Sequence, residues 1–178
     1  MKEFALHILF VCTGNICRSP TAERLAVAYA SEMAVPDFSA SSAGTHAVVG
    51  HPMHTESAIV LRQLGGDPSG FAARHLTAKV AGRADLILAM TAAHRDRVLE
   101  LCPHKLNRTF ILTEASRLAS DFGAGNYEDL AQFRPRLSAR DRLDVADPIG
   151  RDSTVFEAIG TQIAELLLPI VRLCGQSA

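Results

Sequence analysis

The six residues Leu6-His7-Ile8-Leu9-Phe10-Val11 form an apolar run that ends directly on Cys12-Thr13-Gly14-Asn15-Ile16-Cys17-Arg18-Ser19-Pro20. Such a run is too short for a helix and reads as a strand buried on both faces. Pro20 opens a helix, since its missing N–H costs nothing in a first turn. Ala22, Leu25, Ala26 and Tyr29 then repeat at helical spacing. A buried strand running into a helix through a short loop is half of a strand-helix-strand unit. That start commits the chain to a parallel sheet.

The rest of the chain continues the alternation. Ser39–Ala43 reads as a second strand, and a helix over Glu56–Leu64 stops at Gly65-Gly66. Asp85–Met90 is a third strand, Thr91 caps the helix carrying Val98 and Leu101, and Thr109–Leu112 is a fourth strand. From Ser116 to Ala146 the periodicity weakens. Gly123, Gly125, Pro135 and arginines 117, 134, 136, 140 and 142 predict a partly helical excursion over the surface. Thr154-x-x-Glu157 predicts a capping box for a last helix, whose apolar face is Val155, Phe156, Ile159, Ile163, Leu166, Leu167 and Ile170. The fold class is α/β. With 178 residues, no internal repeat and no linker-like stretch, residues 1–178 read as a single domain.

In sheets of this kind ligands sit beyond the carboxyl ends of the strands, against helix N-termini. The loop Cys12–Ser19 occupies such a place. Gly14 and Asn15 both tolerate positive φ, so successive N–H groups can turn inward as an anion nest. A cradle of that kind beside a helix N-terminus favours the thiolate, the form of cysteine that attacks. Arg18 offers a planar fork for two phosphate oxygens, and Ser19 is placed to hydrogen-bond the Cys12 sulfur. The C-x5-R spacing alone is common by chance, and an inert buried Cys12 with a surface Arg18 is the competing reading. Because the formal net charge is −1, an anion site must be local, and nothing at chain level favours nucleic acid or an anionic membrane.

The stretch Val11-Cys12-Thr13-Gly14-Asn15-Ile16-Cys17-Arg18-Ser19-Pro20 resembles, at every defined position, the V-C-x-G-N-I-C-R-S-P loop of the low-molecular-weight protein-tyrosine-phosphatase family. Thr21-Ala22-Glu23, Ser42-Ala43-Gly44-Thr45, Asp85–Met90 and Asp147-Pro148 are similar to the family too, and in the family's order. The resemblance implies a four-stranded parallel sheet with helices on both faces. It implies Cys12 as nucleophile forming a cysteinyl-phosphate and Arg18 binding the phosphoryl oxygens. The phosphate loop would be Thr13, Gly14, Asn15, Ile16, Cys17, Arg18 and Ser19, with Ser42 buttressing it through Asn15. Asp147 would be the general acid, the role that makes a basic leaving oxygen depart. On its own residues Asp147-Pro148 is equally a turn, as Asp67-Pro68 after Gly65-Gly66 is. Cys17 is either a redox partner that spares Cys12 from overoxidation or a small buried hydrophobe.

The substrate implied is a phosphorylated protein, phosphotyrosine first, with inorganic phosphate as product and no cofactor. The chain departs from tyrosine-specific members where their clefts are aromatic. Ile149-Gly150 follows Asp147-Pro148, and His46-Ala47-Val48-Val49 follows the Ser-Ala segment. Phe10, Phe38, Phe71, Tyr127 or Phe133 would have to substitute, and Phe71 falls where some relatives carry a loop-supporting His. Two alternatives stay open. One is a protein-arginine phosphatase, which Asp147-Pro148-Ile149-Gly150 favours and the branched Ile16 opposes. The other is an arsenate reductase using a small-molecule thiol, since the relay cysteines of the thioredoxin-linked kind are missing beside Met90-Thr91, with only Cys102 near.

Four cysteines at 12, 17, 102 and 174 make no disulfide framework and no zinc-type pair. His51 and His54 lack a third ligand and read as solvated loop residues, so no metal is expected. The start Met1–His7 lacks the long apolar stretch of a signal peptide, and the longest apolar run, Ile163–Val171, is broken by Glu165 and Pro169. The expectation is a cytoplasmic protein without a membrane span.

Overall fold

A computed structural model describes residues 6–176; residues 1–5, on which the leader reading mostly rests, lie outside the described residues. The elements follow in the order β1 (Leu6–Cys12), α1 (Arg18–Glu32), β2 (Phe38–Gly44), α2 (Thr55–Gln63), α3 (Ala78–Gly82), β3 (Leu86–Ala89) and α4 (Ala92–Leu101). Then come β4 (Thr109–Ile111), α5 (Leu112–Asp121), α6 (Leu130–Phe133) and α7 (Ser153–Gln176), with short 3₁₀ turns between. All four strands are parallel, in the order β2-β1-β3-β4. Strand β1 sits centrally, and Cys12 at its carboxyl end pairs with Gly44 of β2.

The uninterrupted apolar runs of β1 and β3 follow from burial of both faces. Ile8, Phe10 and Cys12 face a large cluster with Leu25 of α1, Leu118 of α5 and Ile163, Leu167 and Ile170 of α7. Leu9, Val11 and Ile87 face a smaller cluster with Ala81 of α3 and Val98 of α4. The sheet is therefore the middle layer of three, and the expected α/β class holds.

Several local expectations shift. Helix α1 begins at Arg18, so Pro20 lies inside the first turn rather than at its opening, still where no N–H partner is needed. The 116–146 excursion is shorter than expected. Ser116 belongs to α5, which leaves β4 without a loop, and Leu130, Leu137 and Val145 are buried. Helix α7 is capped by Asp152 instead of Thr154: Asp152 Oδ1 accepts from the N–H groups of Thr154 and Val155, at 3.0 and 3.2 Å. By length and composition this 24-residue helix could cross a membrane, although the apolar run within it is short. Here it packs on α1, α2 and α5, burying Ile163, Leu167, Ile170 and Val171. His54 is not a solvated loop residue. Its Nδ1 accepts from Glu56 N–H at the start of α2, and its ring stacks on Phe156 at 4.8 Å.

Candidate active site

The loop after β1 is shaped by where its carbonyls go. The carbonyl oxygens of Cys12, Thr13, Gly14 and Ile16 accept from the N–H groups of Thr45, His46, Val48 and His54, at 2.8–3.0 Å. Each carbonyl is thus drawn outward by a neighbouring segment, which leaves the loop N–H groups facing in. Asn15 alone in the loop has a positive φ, 56°, the left-handed conformation that reverses the chain there. Gly44 lies so close beneath that a Cβ on it would stand 2.4 Å from the Thr13 carbonyl oxygen.

Buried Asn15 organises the donors. Its Oδ1 accepts from Arg74 N–H at 2.8 Å, which fixes which end of the amide is oxygen. Its Nδ2 then donates to Ser19 Oγ at 2.9 Å and Ser42 Oγ at 2.8 Å. Each hydroxyl, having accepted, has its own proton to give. Ser42 gives it to Glu23 Oε2 at 2.5 Å, and Ser19 faces Cys12 Sγ at 2.9 Å. A donor aimed at sulfur stabilises a thiolate. Glu23 is buried enough that its carboxyl pKa is raised, with the Ser42 hydrogen bond pulling back. The structure thus places Ser42 in hydrogen-bond contact with Asn15, the contact the family resemblance implies. Glu23 extends that hydrogen-bond chain by one residue, a part that the sequence reading of Thr21-Ala22-Glu23 does not assign.

Arg18 is buried at 4% exposure. Its Nη1 donates to the Val145 carbonyl and its Nη2 to Asp147 Oδ2, both at 2.8 Å. Asp147 Oδ1 meanwhile accepts from Ile149 N–H at 3.1 Å. The turn and the site are thus the same residue: one oxygen makes the turn and the other reaches Arg18. Val145 N–H donates to the Met90 carbonyl, tying this segment to the end of β3. Nothing in the local sequence marks Val145, which acts through backbone atoms, or Arg74, whose N–H reaches Asn15 and whose Nε donates to the Ser42 carbonyl at 2.8 Å.

Cys12, Thr13, Gly14, Ile16, Cys17, Arg18, His46, Val48, Asp147 and Ile149 line one open cleft of about 290 Å³. Its walls are Ile16, Val48 and Ile149, so the aliphatic reading of the cleft holds. None of the five candidate aromatics lines it. Phe10 is in the core, and Phe71, Tyr127 and Phe133 lie under Arg24, Arg108 and Arg136. Cys17 is buried beside Cys12, and burial pushes its thiol up to about 11, against the opposing hydrogen bond from Ser57. Cys102 packs with Ala81 and Val98 on the other side of the sheet, away from the cleft. No cluster of three or more metal-ligating side chains is present among the described residues.

Residues 7–121 match the sequence model of the family described as low molecular weight phosphotyrosine protein phosphatase. The chain belongs to that family. As a low-molecular-weight phosphatase it is 41% identical over 104 residues to the protein-tyrosine-phosphatase Etp of Escherichia coli K12, covering 58% of this chain and 67% of Etp. It is 32% identical over 171 residues to the probable low molecular weight protein-tyrosine-phosphatase EpsP of Ralstonia nicotianae, covering 94% and 97% of the two chains. Among solved structures it is similar to the arginine phosphatase YwlE of Geobacillus stearothermophilus, at 28% identity and a TM-score of 0.72, over 94% and 91% of the two chains.

Proposed function

We propose that this phosphatase hydrolyses phosphate monoesters on proteins, phosphotyrosine first, through a cysteinyl-phosphate on Cys12. The observation that supports the reading is the meeting of Cys12, Arg18 and Asp147 in one cleft, beside a loop whose Cys12, Thr13, Gly14 and Ile16 carbonyls are held by neighbouring segments. The Cys12 thiolate attacks phosphorus, the S–P bond forms and the bond to the leaving oxygen breaks. Arg18 and the loop N–H groups hold the equatorial oxygens, and Asp147 gives its proton to the leaving oxygen. A water then attacks phosphorus, returns a proton to Asp147 and releases inorganic phosphate and the thiolate. In the free enzyme Arg18 is already paired with Asp147. An arriving phosphoryl group takes over the Arg18 fork and frees the acid to face the leaving oxygen. Asn15 and Ser42 hold the loop, and Cys17 is the redox partner of Cys12. Residues 1–178 act as one phosphatase domain.

Phosphoarginine is the second reading. The absence of an aromatic wall and the presence of Ile149-Gly150 after Asp147-Pro148 favour it, whereas Ile16 in the cleft favours tyrosine. Turnover of one peptide carrying phosphotyrosine, phosphoarginine or phosphoserine, with arsenate reduction by glutathione run alongside, decides among them. The highest kcat/KM is expected on phosphotyrosine. A preference for phosphoarginine, or arsenate reduction alone, would replace the first reading.

A further inference from the structure

His94 stands in the first turn of α4, where its N–H is capped by Thr91 Oγ1 at 3.2 Å. Its ring is buried at 6% exposure, and its Nε2 lies 2.8 Å from Thr13 Oγ1, 81 residues earlier. Nδ1 is also buried and has no hydrogen-bonding partner in the protein. That asymmetry decides between the two neutral tautomers. A proton on Nδ1 would be a buried N–H with no acceptor, which folded proteins rarely tolerate. A proton on Nε2 leaves only a lone pair unpaired and makes His94 the donor to Thr13.

Burial, and then the positive charge of Arg18, push the imidazole pKa down to about 4. Asp144 and Asp147 pull it back up, and His46 again lowers it. The ring therefore stays neutral above pH 5. Thr13 lines the cleft beside Cys12 and Arg18, whereas His94 is not among the residues lining it and touches Thr13. Once Oγ1 has accepted from His94, its own hydrogen cannot point at the ring.

We propose that the Thr13 hydroxyl is a side-chain donor to a bound phosphoryl oxygen, aimed by Nε2–H of His94. This deepens the Cys12 phosphatase reading and rests on it. Thr13 touches the substrate and His94 is a positioning residue acting through it. A hydrogen bond to a charged oxygen is worth about 10- to 100-fold in rate or affinity.

The test uses Thr13→Val, which swaps the hydroxyl for a methyl, His94→Ala, the double variant, and His94→Gln, whose amide N–H can reach the Nε2 position. With p-nitrophenyl phosphate, both single variants should lose about 10- to 100-fold in kcat/KM and bind inorganic phosphate more weakly. The double variant should be no slower than either single one, and His94→Gln should recover part of the loss. Independent multiplication of the two losses, or full activity in Thr13→Val, would overturn the inference. Should His94→Ala fail to fold, ¹⁵N NMR of the unaltered protein is decisive by itself: Nε2 must carry the proton, and an Nδ1–H ring refutes the proposal. Failure of the underlying reading looks different, since Cys12→Ser would then keep turning over whatever His94 and Thr13 do.

Discussion

Arg18 and Asp147 are 129 positions apart in the chain and 2.8 Å apart in space. Arg18 is buried and Asp147 is about half exposed, so the pair spans the cleft from floor to rim. The floor residue cannot move without losing the Val145 carbonyl, and the rim residue can. On the proposed mechanism, Asp147 is the partner that changes places when an anion enters.

Removing the acid should hurt most where the leaving oxygen is most basic. Asp147→Asn keeps the shape and the Ile149 turn but cannot supply a proton. Its loss on phosphotyrosine should be about 10²–10⁴-fold, and on p-nitrophenyl phosphate much smaller. Equal slowing of both substrates in steady-state assays would make Asp147 a turn residue only.

Arg18→Lys separates fork from charge. Lysine cannot serve the Val145 carbonyl and two phosphoryl oxygens in one plane. Turnover should fall by about 10²–10³-fold, comparable to losing a transition-state donor. Rates near those of the unaltered protein would show that charge alone suffices.

The sheet, its direction and the Cys12 loop were legible because they are written locally: apolar runs of strand length, a proline in the first turn of the following helix and Asn15, which takes the positive φ, in between. Asp147 was legible only through family resemblance, since its dipeptide is identical in kind to Asp67-Pro68. Asp67 does make a plain turn, accepting from Ser69 N–H at 2.9 Å. Val145, Arg74 and His94 were not legible, because their contacts join segments tens of residues apart and leave no periodic trace. The cap of α7 was misplaced by two residues for a related reason. Asp152 and Thr154 are both good caps, and only the backbone path chooses between them.

Cys17 carries a pH-dependent prediction. After peroxide converts Cys12 to the sulfenic acid, attack by the Cys17 thiolate would form the S–S bond and expel hydroxide, which takes up a proton from solvent to become water. Because burial holds that thiol at about 11, bridge formation should quicken about tenfold per pH unit from 7 to 9. Stopped-flow fluorescence with mass mapping reads the rate, and Cys17→Ser should recover less activity with dithiothreitol. A pH-independent rate, or no Cys12–Cys17 bridge, would remove Cys17 from redox protection.

His94 makes the fold acid-sensitive. Its pKa is lowered from 6.5 to about 4, so between those values the unfolded chain binds a proton that the folded one refuses. Stability from this residue is therefore present above about pH 6.5 and is lost as pH falls toward 4. Urea midpoints of the unaltered protein should drop over that window more steeply than those of His94→Gln. Parallel curves for the two proteins would mean that His94 protonates without cost.

The central claim is that Cys12 itself becomes phosphorylated. Rapid acid quench during turnover of a phosphotyrosine peptide, followed by mass spectrometry, measures this directly. The account predicts a phosphate on Cys12, absent in Cys12→Ser, which should also lose all turnover while still binding vanadate. Phosphate found on another residue, or turnover persisting in Cys12→Ser, would contradict it.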